Sequence, residues 1–438
     1  MARHVNRRKM LRDTMLAGVG VWAMGRNAWA ENGSPGGRQG RPLDKLDIAC
    51  VGVGHRGRDN LNSVRSENIV ALCDVDDERA GDAYEKFPKA KKYYDFRRML
   101  DEVGSQIDAV VVSTPDHTHA VAAAMAMKMG KHCYCEKPLT NAPGESRVLT
   151  QLAAKHKLVT QLGTQHHAKS HFRRVVEIIR SGAIGPVSRV HVWMAGSRGM
   201  PPIPTDTPPV PAHLKWDLWL GPARYRPYHP DYVPYKWRFW WDFGTGETGN
   251  NGCHMLDLPF WALELRYPTL IEAKGPPPHP QTSPKSMRVR YRFPARGDLP
   301  PVMLYWTHGP VAAQVSQHED PKRWATGMLF IGDKGMLLVN YSRWKLLPEK
   351  DFADFELPEQ TIPDSIGHHR EWIAACKEGT QPTCHFGYSG ALSETVLLGN
   401  VAYRVGQTLE CEAATGQVTN CPEAEPYINR PYREGWAL

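Results

Sequence analysis

Asp47-Ile-Ala-Cys-Val-Gly-Val-Gly-His-Arg-Gly57 constrains this chain more than any other stretch. An apolar run ending in Gly52-x-Gly54-x-x-Gly57 suits a strand that turns sharply into a helix, expected over residues 58–65. Glycines there allow a tight turn and let backbone N–H groups approach a diphosphate at the positive end of the helix. A second apolar run, Ile69-Val-Ala-Leu-Cys73, ends in Asp74, near the ~20-residue offset at which an acidic side chain binds ribose hydroxyls. An acid at that place repels a 2′-phosphate, so the pattern favours NAD over NADP. Helical stretches over 78–87 and 95–100 lead to a third strand, Ile107-Asp-Ala-Val-Val-Val-Ser113, and then to an alanine- and methionine-rich helix over 120–129. Strand and helix alternating at this spacing make βαβ units, so the fold class is α/β with a doubly wound parallel sheet.

Ligands of such sheets sit at the carboxyl ends of the strands. That rule gathers Ser113-Thr-Pro-Asp-His-Thr-His119, Glu136-Lys137-Pro138 and Gln161–Gln165 on one rim. A lysine placed there can polarise or protonate a substrate hydroxyl. His117 and His119 either face the ligand or cap and pack the helix that follows.

After Gln165 the composition shifts toward Trp, Tyr and Pro. A helix over 172–180 precedes a strand, Val187 to Trp193, with the two-residue alternation of a half-exposed sheet. Prolines break residues 199–235 into loop, and a dense aromatic set runs from Trp216 to Trp241. Aromatic faces of this kind stack on sugars or fill cores and interfaces. The glycine-rich stretch Asp242 to Asp257 opens a helix through Leu265, with Asn250 and His254 four apart on one face. Strands over 287–293, 302–307, 326–331 and 335–340 read as an antiparallel sheet. Residues 412–438 form an irregular tail, expected to wrap a neighbouring subunit.

With 438 residues, 41% of them hydrophobic, the chain has material for two domains and a sizeable core. Its nine cysteines are odd in number and show no C-x-x-C pairing with histidines at zinc spacing, so buried thiols are expected and no metal site. The formal charge is +8, but residues 1–30 hold six basic side chains against one acidic, which leaves the remainder near neutral and excludes a nucleic-acid partner. Arg7-Arg8, a mild apolar segment and Ala28-Trp-Ala30 have the order of a twin-arginine export signal, predicting periplasmic localisation. The apolar part falls short of the ~20 residues of a membrane span, so no stable insertion is expected. The domain plan is therefore a signal peptide at 1–30, a flexible linker at 31–42, a NAD-binding domain at 43–165, a substrate-binding and oligomerisation domain at 166–411 and the tail.

Gly52-Val-Gly-His-Arg-Gly57, Asp74, Ser113-Thr-Pro-Asp-His-Thr-His119 and Cys135-Glu-Lys-Pro138, in this order and spacing, resemble the Gfo/Idh/MocA family, relatives of glucose–fructose oxidoreductase and inositol dehydrogenase. Gly327 to Gly335 and the helical runs 368–376 and 389–406 are similar to its larger secreted bacterial branch. The resemblance implies a C-terminal α/β domain with a large, mostly antiparallel open sheet that holds a carbohydrate on one face and a homodimer or homotetramer partner on the other. It implies a catalytic set of Lys137, His254 and Asn250, where Asn250 replaces the family's aspartate. Cofactor contacts are expected from Gly52, Gly54, His55, Arg56, Gly57, Asp74, Ser113, Thr114, Pro115, His117, His119, Glu136, Lys137, Gln165 and Trp241, and substrate contacts from His166, Arg238, Tyr235, Asn251 and Asp257. The implied chemistry is hydride transfer between a sugar or polyol hydroxyl carbon and NAD. Export adds that a tightly bound cofactor be recycled in place. The alternatives are a NAD-dependent glycoside hydrolase working through transient oxidation, elimination, water addition and re-reduction, and a sugar-binding protein without turnover.

Overall fold

Valine- and alanine-rich runs that can be covered on both faces supply the centre of a parallel sheet. In the computed structural model, which describes residues 44–310 and 323–438, these runs are β1 (Asp47–Val51), β2 (Asn68–Cys73), β3 (Lys91–Tyr93), β4 (Ala109–Val112), β5 (His132–Glu136) and β6 (Thr160–Gly163). Their spatial order is β3-β2-β1-β4-β5-β6, all parallel, and the winding reverses between β1 and β4, where a crevice opens at the carboxyl ends. The helix Phe96–Val103 shows how one face is closed. Phe96, Met99, Leu100 and Val103 recur at helical spacing and join Ala49, Val51 and Val110 in one buried cluster. The helix Asp116–Lys128 begins four residues earlier than the alanine run suggests, within the Thr-Pro-Asp-His motif itself. The export signal and linker expected over 1–42 lie outside the described residues.

The second sheet has eight strands: β7 (Val187–Met194), β8 (Leu270–Lys274), β9 (Met287–Phe293), β10 (Val302–His308), β11 (Thr326–Gly332), β12 (Met336–Val339), β13 (Trp344–Leu347) and β14 (Leu409–Glu410), in the order β13-β12-β11-β7-β10-β9-β8-β14. All neighbours are antiparallel except β7 and β10, which run parallel. Strict alternation along β9 buries Met287, Val289, Tyr291 and Phe293, and these pack with apolar residues of the helices Ser170–Arg180, Cys253–Ala262 and Phe386–Val405. The opposite face carries Arg288, Arg290 and Arg292 and a stacked His191–Tyr305 pair, with ring centroids 4.7 Å apart.

Two late segments cross the boundary drawn at residue 165. The helix His368–Glu378 sends Trp372, Ile373 and Cys376 into the cluster formed by Ile48, Cys50, Leu72 and Val111 of the parallel sheet. The tail runs along its own chain, where Tyr432, Trp436 and Leu438 pack on the first domain's core. All nine cysteines are free and buried. No helix among the described residues is long and apolar enough to cross a membrane.

Candidate active site

A cavity of about 600 Å³ follows the carboxyl edge of the parallel sheet from Asp74, past Gly52, Gly54 and Arg56, to Lys137, where Asn250 and His254 of the second domain close it. Because β2, β1, β4 and β5 are consecutive neighbours, three strand spacings, about 14 Å, separate its ends. At the loop, Gly52 has φ +79°, and a Cβ built on it would stand 2.8 Å from the Ser113 carbonyl, while one on Gly57 would stand 2.0 Å from the Gly52 oxygen. Only glycine fits a turn packed so closely, and the turn leaves the first residues of the helix Arg56–Ser63 facing the cavity. The Val53 and Gly54 N–H groups donate to Asp74 Oδ2 at 2.8 and 3.2 Å, and the Asp76 N–H donates to Oδ1 at 3.1 Å. A carboxylate accepts roughly four hydrogen bonds, so Asp74 keeps one position for a hydroxyl. Burial pushes its pKa up, and the three backbone donors pull against that rise. A tight glycine turn at a helix start, beside an acid at the next strand end, fits a dinucleotide.

At the other end, Glu136 Oε1 accepts from Arg56 Nε at 3.1 Å, Asn60 Nδ2 at 3.0 Å and Gln165 Nε2 at 2.8 Å. Burial opposes its charge, but Arg56, Lys137 and the Asn60 hydrogen bond outweigh burial and hold the carboxyl below its usual value. The next residue is Lys137. Its Nζ donates to the backbone oxygen of Asn250 at 2.6 Å and to Asn250 Oδ1 at 2.8 Å. Asn250 presents both oxygens from a π-turn, Thr248–Gly252, a geometry frequent at functional sites, set directly before the helix Cys253–Ala262. Burial lowers the Lys137 pKa, against the opposing pull of Glu136 and Asp116. His254 is held well below its ordinary pKa by burial and then by the Lys137 charge, and its Nδ1 is buried with no hydrogen-bond partner. The His166 ring stands 5.2 Å away and edge-on, is stacked at 4.1 Å on Tyr341, and is pushed down to about 4 by burial. Two neutral imidazoles and one cation thus share this end of the cavity.

The structure brings most of the expected residues together. Gly52, Gly54, His55, Arg56, Asp74, Ser113, Thr114, Pro115, His119, Glu136, Lys137, Gln165, His166, Tyr235, Arg238, Asn250 and His254 all line the cavity. His119 lines it while its two ring nitrogens brace the rim, bonded to the Pro138 oxygen at 2.7 Å and the Thr114 oxygen at 2.8 Å. Five expected residues do not line it. Gly57 lies behind the turn. His117 is a packing residue, held between the Trp219 oxygen at 2.9 Å and the Phe243 oxygen at 3.2 Å. Trp241 points into the second domain's core, with Nε1 on the His279 oxygen at 3.2 Å. Asn251 donates to Glu247. Asp257 is buried against His167 at 2.9 Å and the Tyr388 hydroxyl at 2.8 Å. Sequence reasoning missed Arg79, Asp116, Trp237 and Trp436, all in the cavity wall. Asp116 is buried and raised in pKa, and accepts from Thr245 Oγ1 at 2.7 Å; its place inside the rim motif was the available signal.

His167, Asp257 and Cys384 bring ligand atoms within 4.8 Å of one another in the core. His167 and Asp257 already bond each other, and Thr164 Oγ1 lies 2.9 Å from Cys384 Sγ, so each of the three side chains has a hydrogen-bond partner in the protein.

Comparison with known proteins agrees with this geometry. Residues 46–164 match the model of an oxidoreductase family described as an NAD-binding Rossmann fold, and residues 191–298 match that family's C-terminal alpha/beta domain. Inositol 2-dehydrogenase of Salmonella typhimurium is 29% identical over 152 residues, 33% of this chain and 45% of that protein. Myo-inositol 2-dehydrogenase of Thermotoga maritima is 26% identical over 164 residues, 37% and 48% respectively, so the chain spans about half the length of these curated relatives. Among solved structures, the WlbA dehydrogenase from Bordetella pertussis in complex with NADH and UDP-GlcNAcA superposes with a TM-score of 0.60 at 16% identity, covering 84% of this chain and 99% of that one. Levoglucosan dehydrogenase, in complex with NADH and levoglucosan, gives 0.56 at 18% identity with the same coverage. These two likenesses are of fold. With a model match on each domain, the chain belongs to the Gfo/Idh/MocA oxidoreductase family.

Proposed function

We propose that this chain is a NAD-dependent oxidoreductase that acts on a hydroxyl-bearing carbon of a sugar or polyol. The observation that carries the reading is the placement of Lys137 Nζ. Two of its three N–H groups are taken by the oxygens of Asn250, which leaves one aimed at whatever oxygen enters the cavity beside His254. The Gly52–Gly57 turn and Asp74 hold the dinucleotide, and a bound nicotinamide supplies a hydride acceptor at the Lys137 end. His254, kept neutral, accepts the hydroxyl proton. Lys137 stabilises the developing alkoxide, the electrostatic effect that dominates such barriers. Asn250 holds the lysine without adding a charge that would neutralise it. Asp74, with a free acceptor position, suits the ribose hydroxyls of NAD better than a 2′-phosphate.

The relatives named for inositol and the structure bound to levoglucosan support a sugar or polyol as substrate class. The signal-like residues 1–30 support export, and export in turn supports a cofactor that stays bound and is recycled in place. The exposed arginine face of the second sheet offers a surface for a second copy of the chain. The glycosidase alternative has one favouring observation: His166 beside His254 supplies a second base for an elimination step.

The first test is to denature the purified protein and assay released NAD(H), then to compare native wild type with Lys137→Ala on polyols and on aryl glycosides without added cofactor. Lys137→Ala should keep the dinucleotide and lose at least 10²-fold in turnover. Comparable activity in that variant removes the lysine from the mechanism. Aryl alcohol released with no net NADH selects the glycosidase.

A further inference from the structure

Trp436, near the end of the segment 429–438, forms a part of the cavity wall that the proposed chemistry does not use. Their course is fixed by ion pairs on both domains. Arg430 donates from Nε to Glu145 Oε1 and from Nη2 to the His117 oxygen, each at 2.6 Å, and the Tyr432 hydroxyl reaches the same Glu145 oxygen at 2.6 Å. Glu145 is buried, 3% exposed, so this anchor is shielded from solvent. Arg433 donates from Nε to the Gly221 oxygen at 2.7 Å and also bonds Asp217. Beyond these anchors the chain places Trp436 against Phe96, ring centroids 5.9 Å apart, with the Arg97 guanidinium 4.1 Å over the indole and Arg97 Nη1 on the Gly435 oxygen at 3.2 Å. Trp436 lines the cavity together with Asp74, Tyr94, Asp95 and Phe96. The Asp74 N–H bonds the Tyr93 oxygen at 3.0 Å, so these residues mark the end of the groove opposite Lys137.

We propose that Trp436 contacts the adenine base and that residues 429–438 are a strap retaining the adenosine end of the cofactor. This rests on the dinucleotide reading. If Asp74 binds the adenosine ribose, the base falls at the end of the groove walled by Phe96 and Trp436, and a half-buried indole presents aromatic surface to a purine there. The anchors are Arg430, Tyr432 and Arg433, not the indole. The ring can therefore be changed while the strap keeps its course. An exchange of the base with solvent requires that contact to break, which ties the strap to slow cofactor release.

The test uses the full chain freed of co-purified nucleotide, with titration calorimetry for affinity and stopped-flow mixing for release. Trp436→Ala should weaken ADP-ribose and NAD roughly 5- to 150-fold, the range supported by one base–aromatic stack, and speed NAD release by a similar factor. Nicotinamide mononucleotide, titrated at millimolar concentration, should bind as before. Trp436→Leu preserves apolar packing on Phe96 without an aromatic face and should lose affinity as Trp436→Ala does, whereas Trp436→Phe should retain most of it. Unchanged ADP-ribose affinity in Trp436→Leu overturns the strap and leaves the dinucleotide reading intact. Parallel loss of ADP-ribose and nicotinamide mononucleotide also overturns it, because the ring then supports the fold and not the base. Wild type that binds neither NAD nor ADP-ribose overturns the dinucleotide reading itself.

Discussion

His254 and His167 meet the same helix, Cys253–Ala262, on different terms. His167 has a carboxylate: Asp257 lies 2.9 Å from its Nδ1, Trp261 stacks on its ring at 4.0 Å, and the pair is sealed from the cavity. His254, one turn before Asp257, has the cavity but no carboxylate, because the residue four positions earlier is Asn250 and both its oxygens go to Lys137. The contrast separates two uses of a buried imidazole. A paired histidine with a fixed partner stabilises the core, whereas an unpaired neutral one at the cavity keeps a ring nitrogen open to a hydroxyl that enters there.

Substitution of each should therefore fail differently. His254→Ala should lower turnover by about 10²- to 10⁴-fold, the usual contribution of a positioned base, with little change in Tm. His167→Ala leaves Asp257 buried without its imidazole partner and should destabilise the fold by about 3–5 kcal/mol, read by denaturant titration. A His167→Ala protein of normal stability and no turnover would break the comparison.

Asn250→Asp sharpens it, with a smaller effect. A carboxylate in contact with Lys137 Nζ favours the charged lysine and raises its pKa, by the ~1–3 units typical of an opposite charge at contact. The alkaline limb of the pH–rate profile should move up accordingly while turnover at neutral pH changes less than about tenfold. An unmoved limb would show that Lys137 does not set it.

The parts of the site legible in the sequence are those whose signal is local. The Gly52–Gly57 turn, Asp74 and the Glu136-Lys137 strand end each announce themselves within a few residues, because strand period and turn chemistry are short-range properties. Trp237 and Trp241 show the limit. They are four apart in an aromatic-rich stretch, yet the 3-10 turn Lys236–Phe239 between them breaks helical spacing, so one faces the cavity and the other the core. His117 and His119 divide in the same way, one into packing and one onto the rim, and composition cannot tell them apart. Trp436 carried no local sign at all. Its place depends on Arg430 reaching Glu145 and Arg433 reaching Gly221, contacts between residues hundreds of positions apart. The helix His368–Glu378 was legible as a helix and not as part of the first domain, for the same reason.

The smallest expected effect is the most discriminating for the neutral base. A histidine of ordinary pKa near 6.5 would be largely protonated at pH 5.5, and a rate that needs it neutral would fall about tenfold from its value at pH 7.5. Burial and the Lys137 charge depress the His254 pKa well below that, so the proton is taken up only in stronger acid and the initial rate should change less than twofold across the same interval. His166, held down to about 4, does not interfere. Stability moves differently. The buried His132 and the half-buried His369, both lowered to about 4, bind protons more weakly folded than unfolded. Their contribution is fully present above pH 6.5 and is lost as pH falls from there through about 4, because the unfolded chain takes up the protons. Enzyme kept at pH 7.5 and diluted into pH 5.5 assay buffer should thus show a nearly unchanged initial rate, while denaturant titration at pH 5.5 gives a lower midpoint. A tenfold fall in the initial rate would assign His254 an ordinary pKa and place a charge beside it that the Asn250 amide does not supply.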